Sequence, residues 1–296
     1  MIKLLKYSNT NTYLIPGPKG HLLFDTGWAG TFPPFCHALG EAGEQLQDIR
    51  YLLISHYHPD HCGIAQEIAD TGVRILALEE QRVYLHAADE VFAKEGRTES
   101  AGAGVRSGFR PIRDAEVRFL RAEESRAFLL EELGIEGEIL ATPGHSADSI
   151  SLLLDSGELF VGDLNPLYEL ELHAGTQIAR SWETLLSKSP RIVYYGHAKA
   201  AVLDGKVAGG SDALGASAGK AGGGSAKEKE DARSAGELCD LVTRIMKLID
   251  KGKTLDTIAR KTGADRTFIE DVTRMYLTHP GVSVQGILDR IEIKGR

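Results

Sequence analysis

The chain is 296 residues long, 42% hydrophobic and 26% charged, the balance of a folded globular protein rather than a disordered one. No apolar run approaches the roughly 18 residues of a membrane span, and three widely spaced cysteines, Cys36, Cys62 and Cys239, make neither a disulfide framework nor a cysteine-rich zinc site. The net charge of −8 is uneven: residues 1–200 carry 18 Lys/Arg against 28 Asp/Glu and residues 227–296 carry 14 against 12, so the main body lacks the basic footprint that nucleic acid needs.

The first residues offer only the apolar pair Leu4-Leu5 before a strand pattern begins. Without the apolar stretch and cleavage site of a secretory signal, a cytoplasmic location with no membrane association is expected. Short β-rich runs bounded by Gly, Pro or Asp then predict strands at 13–15, 21–24, 51–54, 73–77, 138–141, 149–154, 159–161 and 191–195. Helical spacing appears at 61–71, with Ile64, Ala65 and Ile68 on one face, and at 181–187 after the N-cap-like Ser181. Within residues 79–133, the seven arginines from Arg97 to Arg126 are nearly cancelled by six acids from Glu95 to Glu124, which predicts a solvated face or lid rather than an anion site.

A Gly/Ala/Ser tract at 209–225 has almost nothing to bury and reads as a tether, natural or engineered. It divides the chain into an expected domain at 1–203, a linker at 204–230 and a helical domain at 231–296. In the last, 235–250 spaces Leu238, Leu241, Val242, Ile245, Leu248 and Ile249 as an amphipathic helix. The segments 254–263 and 266–276 follow with helix-turn-helix spacing. Glu270 and Asp271, expected on exposed positions of the last helix, argue against a DNA reader. Homodimerisation through these helices, or packing over the active-site edge, is the preferred role.

The chemistry concentrates in Ser55-His56-Tyr57-His58-Pro59-Asp60-His61, directly after a strand. Ligands cluster where α/β strands hand over to loops. His56 and His58, two apart on extended chain, project to the same side, and Asp60 and His61 follow where the chain turns. Imidazole nitrogen with carboxylate oxygen suits zinc or iron. His145, Asp163 and His197 each follow an apolar run and adjoin a glycine, so three further candidate ligands sit at strand ends. Cys62 reads as a small buried residue.

Phe24-Asp25-Thr26-Gly27, then His56/His58/Asp60/His61, His145, Asp163 and His197 follow one another as do the signatures of the metallo-β-lactamase superfamily, which residues 1–200 resemble. The resemblance implies an αββα sandwich of two sheets with a dinuclear site on one edge, to which the C-terminal segment adds a small helix-turn-helix-like appendage. It implies two divalent metal ions, zinc first, with iron or manganese as alternatives. His56, His58 and His145 would hold one metal; Asp60, His61 and His197 the other, with Asp163 bridging and Asp25 as a buried support. A metal-bound hydroxide would attack the substrate, and Asp60 would orient it and pass on its proton.

Within that superfamily, β-lactamases generally lack the bridging aspartate, whereas glyoxalase II, lactonases and related ester and thioester hydrolases keep the whole set. Flavodiiron reductases usually have glutamate where His58 stands and add a flavodoxin domain. The basic C-terminal substrate domain of glyoxalase II is not recognisable here. The expectation is a hydrolase of a small-molecule ester, lactone or thioester. The alternatives are a metal-binding regulator or sensor of the same fold and a phosphodiesterase or nuclease-type member.

Overall fold

Strands in the order of the chain build a first sheet from β1 (Lys3–Leu5), β2 (Thr12–Ile15), β3 (His21–Phe24), β4 (Ile49–Leu53), β5 (Arg74–Leu78) and β6 (Val117–Leu120). It is antiparallel as far as β3 and parallel from β3 to β6. The second sheet runs in reverse, β11 (Ala201–Val202), β10 (Ile192–Tyr194), β9 (Glu158–Phe160), β8 (Ile150–Leu154), β7 (Gly137–Ala141), with β9 and β10 parallel and the other pairs antiparallel. The structure is a computed structural model that describes residues 1–92, 108–167, 170, 173–203 and 227–278, with 284, 287 and 288.

Side chains alternate across a strand, so a strand buried on both faces feeds two layers. Leu22, Phe24, Leu53, Leu76 and Leu78 of the first sheet meet Ile139, Ile150, Leu152 and Phe160 of the second in one apolar core. On the far side of the second sheet, Leu153, Leu159 and Val193 pack on Trp182 and Leu185 of the helix Gln177–Ser187. On the far side of the first, Leu23, Leu52 and Ile75 are buried, and the helices Phe32–Glu41 and Ala65–Ala69 lie against β1 and β5. This is the expected αββα sandwich.

Three local expectations change in the sandwich. The helix expected at 61–71 is two short ones, Pro59–Cys62 and Ala65–Ala69. The His61 carbonyl, which an unbroken helix would use internally, instead accepts the backbone N–H and hydroxyl of Thr26 at 3.0 and 2.9 Å. The helix expected from Ser181 begins at Gln177, and the Ser181 hydroxyl lies within it, donating to the Pro143 carbonyl at 2.7 Å. Part of the segment read as a lid is framework: β6 closes the first sheet, and the helix Ser125–Leu133 drives Leu129 and Leu133 into the inter-sheet core. Three of its described arginines are paired on a solvated face, Arg113 with Asp70, Arg121 with Glu124, and Arg126 with Asp155. Residues 93–107 of that segment, and the tract at 209–225, lie outside the described residues.

The chain divides into two units, Met1–Gly205 and Lys206–Arg296. In the second, the helices Lys227–Asp250, Leu255–Thr262 and Arg266–Thr278 enclose Val242, Ile245, Ile258, Ile269, Val272 and Met275. Thr254 caps the middle helix by accepting the Thr257 N–H, and Gly263 ends it at φ 70°, where a side chain would be strained. The first of these helices begins at Lys227, inside the expected linker, and its buried stripe is Val242, Ile245 and Ile249 while Leu238 is exposed. Glu270 is not on an exposed face: it is buried and accepts Arg266 Nε at 3.0 Å. No helix among the described residues is long and apolar enough to cross a membrane.

Candidate metal centre

The loop after β4 is buried, and its backbone groups must therefore find partners inside the protein. They find side chains. Ser55 N–H donates to Asp25 Oδ1 at 2.7 Å, and Tyr57 N–H donates to Asp148 Oδ2 at 2.7 Å. Gln81 Nε2 donates to the Ile54 and Asp148 carbonyls, and the Thr10 hydroxyl donates to the Asp60 carbonyl at 2.7 Å. Pro59 opens the short helix that follows, where its fixed φ suits the first turn. His56, Asp60 and His61 are thereby held with no solvent exposure.

Four more strand ends meet this loop. Asp25 follows β3, His145 follows β7, Asp163 follows β9 and His197 follows β10. The result is three overlapping groups of candidate ligand atoms: His56, His58 and His145; His56, His61 and Asp163; and Asp60, His61 and His197. All seven ligand candidates read from the sequence lie in them. His56 Nε2 is 2.9 Å from His58 Nδ1, which is 3.1 Å from His145 Nε2. In the other trio His61 Nε2 is 3.1 Å from His197 Nε2, and Asp60 Oδ2 is 3.0 Å from the latter. Asp163 turns Oδ1 toward His61 and His197, at 3.4 and 3.3 Å, and Oδ2 toward His145 at 3.7 Å.

This donor set fits metal. Nitrogens about 2.0–2.1 Å from a tetrahedral ion stand roughly 3.3 Å apart, close to the separations found within each trio. Ring nitrogens aimed at one another repel unless a proton or a cation lies between them. The electrostatics agree. Burial, reinforced by neighbouring imidazoles, holds His56 well below the usual histidine range, and burial also lowers His58, so both rings are kept neutral as ligands require. At His61 burial acts in the same direction, but Asp25, Asp163 and Asp60 outweigh it and raise the group well above that range. Carboxylates that hold a proton there offer the same field to a metal cation.

Cys62 adjoins the site but is not aimed into it. Its thiol donates to the His58 carbonyl, and burial pushes it well above the usual thiol range. Two glycines keep the strand ends close. A Cβ on Gly196 would lie 2.7 Å from Asp163 Oδ1 and 2.8 Å from His61 Cε1, and one on Gly162, at φ 55°, would meet Ser55 Oγ at 2.4 Å.

The supports other than Asp25 are not singled out by the sequence. Gln81 and Asp148 stand far from the ligand motif in the chain. Asn11 donates to the Tyr195 and Ala198 carbonyls on either side of His197, at 2.8 and 2.9 Å. Ser55 alone had a visible signal, its place directly before His56.

Residues 6–197 match a family described as the metallo-beta-lactamase superfamily. The chain is 28% identical over 196 residues to the beta-lactamase-like protein 2 homolog of Drosophila melanogaster, an alignment covering 64% of this chain and 58% of that protein. It is 25% identical over 161 residues to the lactamase-like protein aptB of Emericella nidulans, covering 54% and 41% respectively. The chain thus spans less than two thirds of the length of these curated relatives. In fold it resembles the crystal structure of a metallo-beta-lactamase family protein from Thermus thermophilus, with a TM-score of 0.51 and 19% identity over 99% of this chain and 94% of that one.

Proposed function

This chain belongs to the metallo-beta-lactamase superfamily, and we propose that it is a dinuclear metal-dependent hydrolase of a small-molecule ester, lactone or thioester. The observation that carries the proposal is Asp163, one carboxylate with an oxygen toward each trio of ligands. In this reading His56, His58 and His145 hold one ion, Asp60, His61 and His197 hold the other, and Asp163 joins them. Imidazole with carboxylate suits zinc, and also iron or manganese. When bound, such an ion pair supplies a nucleophile at neutral pH and polarises the acyl oxygen.

The protein's own residues do the rest. Asp60, buried and 3.0 Å from His197, orients the attacking water, accepts its proton and delivers it to the departing oxygen or sulfur. No side-chain nucleophile is needed, which agrees with a Cys62 thiol turned onto a backbone carbonyl. The acidic main body favours a small acyl substrate over a polyanion.

The test joins metal analysis by mass spectrometry, on protein prepared without chelators, to a panel of thioesters, lactones and phosphodiesters. Two ions per chain and turnover confined to acyl substrates are expected. Turnover of the phosphodiesters alone would overturn the substrate class, metal without any turnover would favour the sensor reading, and at most one ion at saturation would overturn the dinuclear site.

A further inference from the structure

We propose that Ser55 is a positioning residue that links the first ligand trio to the carboxylate supporting the second, so that one metal depends on the Ser55 hydroxyl and the other does not. The inference rests on the dinuclear reading above and concerns how the two halves of that site are held.

A histidine that binds metal through one ring nitrogen needs a partner for the other, which fixes both tautomer and orientation. Three candidate ligands have such partners here. His61 Nδ1 lies 2.9 Å from Asp25 Oδ2, His197 Nδ1 lies 3.0 Å from the Asn9 carbonyl, and His56 Nδ1 lies 2.9 Å from Ser55 Oγ. Ser55 Oγ is also 2.8 Å from Asp25 Oδ2, while Asp25 Oδ1 accepts the Ser55 backbone N–H at 2.7 Å.

The directions of these bonds follow from the proton inventory. A carboxylate only accepts, so the single hydroxyl proton of Ser55 goes to Asp25. The Ser55 lone pair is then left to accept Nδ1–H of His56. His56 Nε2 consequently carries the lone pair that faces His58 and His145, and His61 Nε2 is set the same way by direct donation from its Nδ1–H to Asp25. One buried carboxylate orients a histidine of each trio, directly for His61 and through one hydroxyl for His56.

Nothing nearby can substitute for that hydroxyl. Asp25, His56 and His61 have no exposure and Ser55 has 1%. Gly162 packs so closely on Ser55 Oγ that even a Cβ would not fit between them. Ser55→Ala vacates the space of one oxygen atom, which is too small for a water. Without its acceptor, the His56 ring loses the preference for a proton on Nδ1, and the tautomer protonated on Nε2 cannot ligate.

The experiment loads purified protein with cadmium and reads its 113Cd NMR spectrum, and in parallel titrates zinc against a chromophoric chelator. Wild type should take two ions and show two resonances. In Ser55→Ala, one ion should keep its wild-type affinity and resonance, and the other should bind about 10–100-fold more weakly with its resonance displaced. Asp25→Asn, tolerable at φ 62° because asparagine accepts left-handed backbone, should weaken both ions. Wild-type affinity for both ions in Ser55→Ala, or equal loss of both, would overturn the proposal. If Ser55→Ala does not fold, Asp25→Asn still decides: weakening of one ion alone breaks the link from Ser55 to Asp25. A wild-type protein that takes fewer than two ions defeats the dinuclear reading itself, whereas two ions with an indifferent Ser55 defeats only this inference.

Discussion

The two units of this protein bury their side chains to different ends. In the sandwich, one edge holds His56, Asp60, His61 and Asp25 without solvent, groups whose burial is costly unless each is paired. They are kept there by one another and by Thr10, Thr26, Ser55 and Gln81. In the C-terminal unit the described core is almost wholly aliphatic, from Val242 and Ile245 to Val272 and Met275, and its buried Glu270 is answered by Arg266. The groups that could hold metal, among the described residues, all fall in the first unit. The contrast teaches that stability and chemistry are separable here, and substitutions should move one without the other.

The strongest separation is expected for Asp60→Asn. Turnover on an accepted acyl substrate should fall by about 10²–10⁴-fold, while thermal unfolding of the C-terminal helices is unmoved; wild-type turnover would take Asp60 out of the chemistry. The converse substitution is Ile258→Ala, in a core where Ile258 is fully buried. It should destabilise the helical unit by about 2–5 kcal/mol, seen in a melt of that unit, and leave metal content as it was. A change in bound metal would show that the two units share one site.

Gly196→Ala sharpens the comparison inside the sandwich. Its methyl would press between Asp163 and His61, and such overpacking costs about 1–3 kcal/mol. Zinc affinity should drop while the inter-sheet core persists in far-UV circular dichroism; unaltered affinity would mean the strand ends yield more easily than their contacts imply. The smallest effect is expected from ending the chain after Leu203. Every candidate ligand precedes that point, so metal stoichiometry should match the full chain. Loss of metal from a folded truncated protein would mean that the C-terminal unit is needed for metal binding.

Much of this was legible in the sequence. Strands β2, β3, β7 and β8 stand where short apolar runs bounded by turn residues put them, because those signals are local. The glycine stop of the segment 254–263 is equally local, and Gly263 ends its helix. The misplacements have tertiary causes. Residues 117–120 and 125–133 look polar and solvated, yet Leu120, Leu129 and Leu133 are core because the sheet edge and the gap between sheets lie beside them. Glu270 looks exposed on a helical wheel and is buried because Arg266, one turn earlier, reaches back to it.

For the site, the sequence by itself determined the inventory: seven residues of ligating type, four of them within one short loop and three after strands. The resemblance to the superfamily added Asp25 as an implied support. What only the tertiary structure decided is that the seven converge, that Asp163 turns one oxygen to each trio, and that Ser55 stands between His56 and Asp25. The reason is physical. Strand and helix signals act over a few residues, but a contact such as that of Asn11 with the Tyr195 carbonyl closes 184 residues of chain. Such contacts are fixed by sheet order and register, which no local pattern of side chains records.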